Sequence, residues 1–140
     1  MHDKERLDFL NSRNLPFLEA FSSEILTFQS IPPELNMQFE VTKEFCHSKG
    51  TIVQGGFVTV MLDVPMAHLV IGITEGKINP LTLDINISFL APSRPGKFVC
   101  KAKVIKLGKK TGFLSSELFQ EESLVAISSS TVMLVQTSET

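Results

Sequence analysis

The residues of this sequence with the clearest chemical potential are Gln54, Gly55 and Asp63, in the stretch VQGGFVTVMLD. We expect the apolar run after Gln54 to be a helix, so the Gly55 N–H would be an unpaired donor at its positive end. Such a donor stabilises the charge that develops on a reacting carbonyl oxygen, and the Gln54 amide could orient that carbonyl or a water molecule. Asp63, the only charge in the run, could act as general base or nucleophile. An N–H donor and a carboxylate of this kind are suited to chemistry at a carbonyl group.

Structural interpretations of the same residues remain open. The two glycines could simply form a tight turn from loop to helix. A carboxylate in apolar surroundings is costly unless it is paired or used, and Asp63 could pair with a lysine or a backbone N–H. The sequence also leaves open whether Asp63 is general base or nucleophile.

The first half of the chain predicts two helical segments and two strands. Residues 3–13 and 14–22 are expected to be helical, which makes residues 1–22 an N-terminal helical segment. Residues 24–30 and 36–43 alternate in polarity like strands, and residues 31–35 (IPPEL) should form the turn between them.

The middle of the chain predicts one loop and one long helix. KEFCHSKGTIVQGG has the glycine, serine and lysine content of a loop. The helix should span about residues 55–73 and bend at Pro65. Because it is apolar on nearly every face, we expect it to be buried all round.

The second half alternates with period two and predicts four long strands. Leu81, Leu83, Ile85, Ile87 and Phe89 are expected on one face of the first strand, with Thr82 on the polar face. The next strands should follow at residues 98–104, 112–121 and 123–136. The fold class is therefore α+β: a long antiparallel sheet of about six strands curled around one buried central helix, in a single domain over residues 1–140.

Composition narrows the classes of function. The net charge of -2 argues against a nucleic-acid partner. Polar residues and Pro65 interrupt the apolar run, so no membrane span is expected. Cys46 and Cys100 match no metal or redox spacing, and two lone thiols favour a cytoplasmic protein that needs neither metal nor cofactor.

A basic segment lies between Asp84 and Glu117, where no acidic residue occurs. It holds seven of the 13 basic residues. This clustering indicates an anionic ligand, although lysines on strands also serve to block edge pairing. The seven residues are Arg94, Lys97, Lys101, Lys103, Lys106, Lys109 and Lys110.

The combination of QGG, an aspartate nine residues after the glutamine, and the strand TLDINISFLAPSRPG resembles the hotdog-fold acyl-CoA thioesterases. The similarity spans roughly residues 14–136. It is strongest to the phenylacetate-degradation (PaaI) type, within the 4-hydroxybenzoyl-CoA thioesterase-like (4HBT) superfamily. It implies hydrolysis of an acyl-CoA to a free acid and CoA, with Asp63, Gly55 and Gln54 as catalytic residues, in a homodimer that assembles further into a dimer of dimers.

The resemblance also suggests auxiliary residues. The asparagine usual in this family is missing, and either Ser48 or His47 could take its place in orienting water, unless His47 is only a solvated loop residue. Thr82 corresponds to a position where some relatives keep a serine near the catalytic water. Lys106, Lys109 and Lys110 surround a turn where similar proteins place residues that bind the CoA phosphates.

Helix geometry adds a constraint of its own. Gly55 and Asp63 are eight residues apart, which is about 12 Å along a helix axis. One carbonyl group cannot contact both within a chain. Two helices antiparallel about a two-fold axis would instead bring Gly55 of one chain to Asp63 of the other, so we expect a site shared across the dimer.

Two other functions are compatible with the fold. The first is a protein that binds acyl-CoA or another acyl ligand without hydrolysing it. The second is an enoyl-thioester hydratase, which needs a histidine paired with an acid. His68 lies about 140° around the helix from Asp63 and is not expected to share its face, which disfavours the hydratase.

Overall fold

A computed structural model of the chain describes residues 1–139. The helices are α1 (Asp3–Ser12) and α2 (Gly55–Ile73), and the strands are β1 (Glu24–Ser30), β2 (Pro33–Val41), β3 (Cys46–His47), β4 (Ile52–Val53), β5 (Ile78–Phe89), β6 (Gly96–Leu107), β7 (Thr111–Gln120) and β8 (Ser123–Gln136). A six-stranded antiparallel sheet with the order β1-β2-β6-β7-β8-β5 packs against the long helix α2. The predicted α+β architecture is confirmed.

The sequence misplaced some elements of the first half. Residues 14–22 hold a 3-10 helix over Pro16–Phe21, and β2 begins at Pro33, so the turn before it is shorter than predicted. The segment predicted as a loop contains a further 3-10 turn and the small hairpin of β3 and β4. Short strands like these carry too few alternating residues to be recognised from periodicity.

Helix α2 forms the centre of the core but is not buried all round within one chain. Met61, Leu62, Met66, Leu69 and Val70 are at most 1% exposed, whereas the stripe of Val60, Val64 and Ala67 is half-buried. The helix is long and apolar enough to cross a membrane by composition alone. Here it packs against the sheet, as core helices of globular proteins do. The open stripe leaves apolar surface for another molecule to cover.

A bulge at Leu83 corrects the predicted faces of β5. The register with β8 shifts between Thr82 and Asp84. Before the bulge, Leu81 lies on the outer face and Thr82 faces α2; after it, Ile85 faces α2. One inserted residue exchanges the two faces of a strand, and simple alternation cannot detect it. Thr82 therefore lies on the α2 side of the strand, where it remains exposed.

Helix α1 packs against α2 near its C-terminal end. A Cβ atom at Gly72 would lie 2.5 Å from a ring carbon of Phe28 and 2.9 Å from a methyl carbon of Leu10. Only glycine therefore allows this close approach. The packing fixes the end of α1, where Arg13 caps the helix with its N–H donating to the Leu10 carbonyl at 3.3 Å.

Candidate active site

Asp63 and Thr82 come together between α2 and β5. The Thr82 hydroxyl donates a hydrogen bond of 3.1 Å to Asp63 Oδ1. Asp63 makes no ion pair within residues 1–139, so it is not the lysine-paired helix carboxylate that the sequence allowed. Its second oxygen accepts no hydrogen bond from the described part of the chain. That oxygen is available to a water molecule or a carbonyl carbon.

Asp63 lines an apolar cavity of about 330 Å³, which we call the Asp63 groove. On a helical wheel the α2 residues that line it fall within about 140°, with Asp63 at one edge and His68 at the other. The stripe between them is apolar. The groove is lined by Arg13, Leu15, Phe17, Val60, Asp63, Val64, Ala67, His68, Ile71, Pro80 and Thr82.

His68 also borders this groove, at the edge opposite Asp63. The cavity is wide enough to reach both edges of the stripe. His68 Nδ1 is 3.0 Å from the Val64 carbonyl, so Nδ1 carries the proton and donates it. Burial lowers the pKa of His68 to about 4, with the Arg13 guanidinium acting in the same direction. The ring is therefore neutral at pH 7 and bonds the backbone, with no hydrogen bond to Asp63.

The start of α2 presents free backbone donors. Gln54 is the N-cap, and its carbonyl accepts the N–H groups of Phe57 and Val58. The N–H groups of Gly55 and Gly56 donate to no acceptor in the described chain. A Cβ atom at Gly56 would meet nothing within 4 Å, so this side of the helix start is open. The Gln54 side chain is exposed and makes no hydrogen bond of its own.

Gly55 lines a different cavity of about 410 Å³, the Gly55 groove. His47 lines it too and holds the Ser48 hydroxyl at 2.9 Å from its Nδ1 atom. Both side chains are exposed on the β3–β4 turn. Of the two candidates for orienting water, His47 borders the cavity, while Ser48 contacts the His47 ring. The other lining residues are Ile52, Val53, Val58, Phe89, Leu90, Ala91, Pro92 and Ser93.

The lysines of the β6–β7 turn line neither groove. Lys106, Lys109 and Lys110 are exposed and form no ion pair within residues 1–139. Elsewhere in the basic segment, Lys101 lies 3.6 Å from Glu34. Backbone pairing links Thr82 through Val132 and Gly112 to Leu107, just before the turn. The turn therefore lies at the end of a row of paired residues that begins at Thr82. Three strand spacings, or about 14 Å, separate it from Thr82.

Two features of the site escaped the sequence analysis. Arg13 appeared as one more charge in a weakly amphipathic segment, and no motif marked it. Leu15 and Phe17 likewise gave no sign that they would cover a groove on a helix some fifty residues away. Among the described residues no cluster of three or more His, Cys, Asp or Glu side chains could hold a metal ion, and both cysteines are free.

Comparison with solved structures finds the same fold in bacterial proteins. A protein from Ralstonia eutropha JMP134, described as a candidate thioesterase related to phenylacetic acid degradation, is 28% identical over 90% of this chain and 96% of its own, with a TM-score of 0.82. The PaaI protein of the E. coli phenylacetic acid degradation operon is 18% identical over 94% and 92%, with a TM-score of 0.81. A thioesterase from Haemophilus influenzae is 21% identical over 93% and 90%, with a TM-score of 0.81.

Sequence comparison assigns the family. No curated protein matches this chain, but the sequence model of the thioesterase superfamily matches residues 50–127, more than half of its length. The matched range contains α2, Asp63 and Thr82. The chain therefore belongs to the thioesterase superfamily, with a PaaI-like hotdog fold.

Proposed function

We propose that this protein is an acyl-CoA thioesterase whose active site is shared between two subunits. The observation that carries the proposal is the Asp63–Thr82 pair, which stands open in an apolar groove with one carboxylate oxygen unused. Family membership supports a thioester hydrolase in general. The acyl-CoA substrate and the shared active site go beyond family membership and are part of this proposal.

The separation of the two grooves supports sharing. Asp63 and the free Gly55 N–H line different cavities of one chain, and helix geometry sets them about 12 Å apart along the axis. In a two-fold dimer with antiparallel α2 helices, the Gly55 groove of one subunit meets the Asp63 groove of the other. The thioester carbonyl then receives the N–H from one subunit while Asp63 of the other activates water or attacks the carbonyl carbon.

The surface around β5 is suited to such a dimer. β5 is a 12-residue strand at the edge of the sheet, where its outer backbone groups can pair with a second copy. The half-buried stripe of α2 lies on the same side and would be covered. Leu81, Phe113 and Met133, each 42–43% exposed on the outer face, offer a second contact for a dimer of dimers.

The β6–β7 lysines complete the proposed substrate site. Their exposed, unpaired ammonium groups suit the CoA phosphates. Gln54 and His47 stand at the helix start and would orient the carbonyl and the water. We place the activity in the cytoplasm, where two unpaired thiols are the rule.

The test is a panel of acyl-CoA thioesters assayed for release of free thiol. Native protein should hydrolyse some of them, and Asp63→Asn should lower kcat at least about a hundredfold, the low end for loss of a general base. Asp84→Asn, the same change at an exposed position of β5, is the matched control and should keep native turnover. Near-native turnover by Asp63→Asn would remove Asp63 from the mechanism.

The alternative is an acyl-CoA binding protein without hydrolytic activity. The family asparagine is missing from this sequence, and the two candidates for its position, His47 and Ser48, are both exposed, which keeps this alternative in view. Tight binding of acyl-CoA with no thiol release from any thioester would establish it.

A further inference from the structure

Arg13 carries a positive charge at the Asp63 groove that nothing in the described chain neutralises. The residue is half-buried, and its Nη1 atom is shielded from solvent without a hydrogen-bond partner. No carboxylate lies within 4 Å of its guanidinium among residues 1–139. An N–H group that is shielded from water and has no acceptor is costly, so the shielded Nη1 atom favours an acceptor from outside the chain.

Nearby acidic residues do not supply that partner. Glu19 and Glu24 line an adjacent cavity that Arg13 also borders, yet both are exposed and neither pairs with it. Arg6, the other arginine with a shielded and unpartnered nitrogen, differs in forming ion pairs with Asp3 and Glu75. Arg13 is thus the one of the two whose charge has no partner in the described chain.

The position of Arg13 matches the far end of an acyl chain that reacts at Asp63. Arg13 and His68 together border both this groove and the cavity beside it, and His68 lies five residues beyond Asp63, or about 7.5 Å along the helix axis. An extended chain advances roughly 1.2 Å per bond, so about six bonds span that distance. The intervening wall, formed by Val64, Ala67 and Leu15, is apolar and suits methylene groups.

The group at this end should be an anion. A carboxylate can both accept hydrogen bonds from the guanidinium and neutralise its charge, whereas a neutral hydroxyl would do only the first. The competing possibility is a hydroxyl that accepts from Arg13 and donates to His68, whose Nε2 atom makes no hydrogen bond in the described chain. The charge favours the carboxylate, and the hydroxyl is a separate outcome of the test.

We propose that Arg13 determines specificity for acyl groups that end in a carboxylate, so that the preferred substrates are CoA thioesters of dicarboxylic acids of about six to eight carbons. This inference rests on the proposed function, since it assigns the acyl group to the Asp63 groove. Arg13 binds the distal carboxylate and takes no part in the bond cleavage itself.

The experiment compares three CoA thioesters of equal length: adipyl-CoA, 6-hydroxyhexanoyl-CoA and hexanoyl-CoA. For the native dimer, kcat/KM should be highest for adipyl-CoA. Arg13→Met should lower that value at least about tenfold, the low end for loss of a hydrogen bond to a charged group, and leave or raise the value for hexanoyl-CoA. Arg13→Lys should retain part of the preference, because it keeps the charge but loses the planar fork.

Lys4→Met is the matched control. It removes one charge from an exposed site on α1 and should leave all three values unchanged. A thermal melt of Arg13→Met shows whether the variant is folded. Retained hydrolysis of hexanoyl-CoA by the variant is a second, functional sign that it is folded.

The outcomes separate this inference from the proposed function. Hydrolysis of hexanoyl-CoA or 6-hydroxyhexanoyl-CoA at least as efficient as that of adipyl-CoA would overturn the role of Arg13 and leave the thioesterase intact. An equal loss for all three thioesters in Arg13→Met would also overturn it, since the residue would then be structural. If no thioester is hydrolysed, the proposed function fails, and calorimetry decides the inference: adipyl-CoA must bind more tightly than hexanoyl-CoA, or the inference fails too.

Discussion

Mixing two inactive variants tests whether the active site is shared between subunits. Asp63→Asn removes the carboxylate charge, and Gly55→Pro removes the N–H at the start of α2. Proline suits this position because Gly55 is the first residue of the helix. The residue before it, Gln54, has φ -59° and ψ 136°, in the extended region that a following proline requires. Each homodimer should therefore fold and be inactive.

The expected recovery follows from the distance between the two groups. About 12 Å of helix separates Gly55 from Asp63, so under the proposed sharing each site takes one of them from each subunit. In a mixed dimer one site holds both defects and the other holds none. Random pairing makes about half of the dimers mixed, so activity should return to about a quarter of the native value.

The assay is thiol release after the two variants are unfolded and refolded together in equal amounts. Native mass spectrometry of the same sample measures the share of mixed dimers. Each homodimer alone should lose at least about a hundredfold in kcat, as is typical for loss of a general base or an oxyanion donor. If mixed dimers form and activity stays at the level of the homodimers, the shared site is refuted.

Gly55→Ala is the control for the proline variant. It keeps the N–H and adds a Cβ atom 3.4 Å from a ring carbon of Phe89, an ordinary contact. Its homodimer should keep most of its activity. An inactive alanine variant would mean that the side chain at this position, and not the missing N–H, stops turnover.

Three further predictions concern other parts of the site and core. Thr82→Val should lower kcat about tenfold or more by removing a hydrogen bond to a charged group, with little change in KM, and Thr82→Ser should restore it. Lys106→Ala combined with Lys110→Ala should raise KM for acyl-CoA far more than for a short thioester without the nucleotide, and the effect should shrink at high salt. His68 has a folded pKa of about 4 against 6.5 unfolded, so its contribution to stability is complete above pH 6.5 and is lost as the pH falls towards 4. Between pH 7.5 and 5, urea unfolding should show about 2 kcal/mol more loss of stability for native protein than for His68→Gln.

Each of these has an outcome that contradicts it. Unchanged kcat in Thr82→Val would leave the hydroxyl without a role in positioning Asp63. Equal changes in KM for the two thioesters would make the turn lysines solubilising residues only. Parallel loss of stability in native protein and His68→Gln would show that other groups cause the acid sensitivity.

The sequence by itself determined the architecture and the candidate residues on α2. Period-two alternation in the second half required long half-buried strands, and the continuous apolar run required a core helix, because each pattern can be buried in only one kind of element. The spacing of Gly55 and Asp63 follows from the fixed rise of a helix, so their separation was predictable before any coordinates. The single carboxylate in that run also identified Asp63 as the candidate catalytic group.

The tertiary structure alone decided which residues meet. The bulge at Leu83 turns Thr82 towards Asp63, and one unpaired residue in a ladder leaves no mark on the alternation itself. The burial of α2 differs from the expectation because an all-round apolar helix does not show which of its sides the sheet and α1 leave open. Arg13 reaches the Asp63 groove because α1 packs on α2 at Gly72, a contact between segments some sixty residues apart. Such long-range contacts depend on the shapes of both surfaces, and no local pattern encodes them.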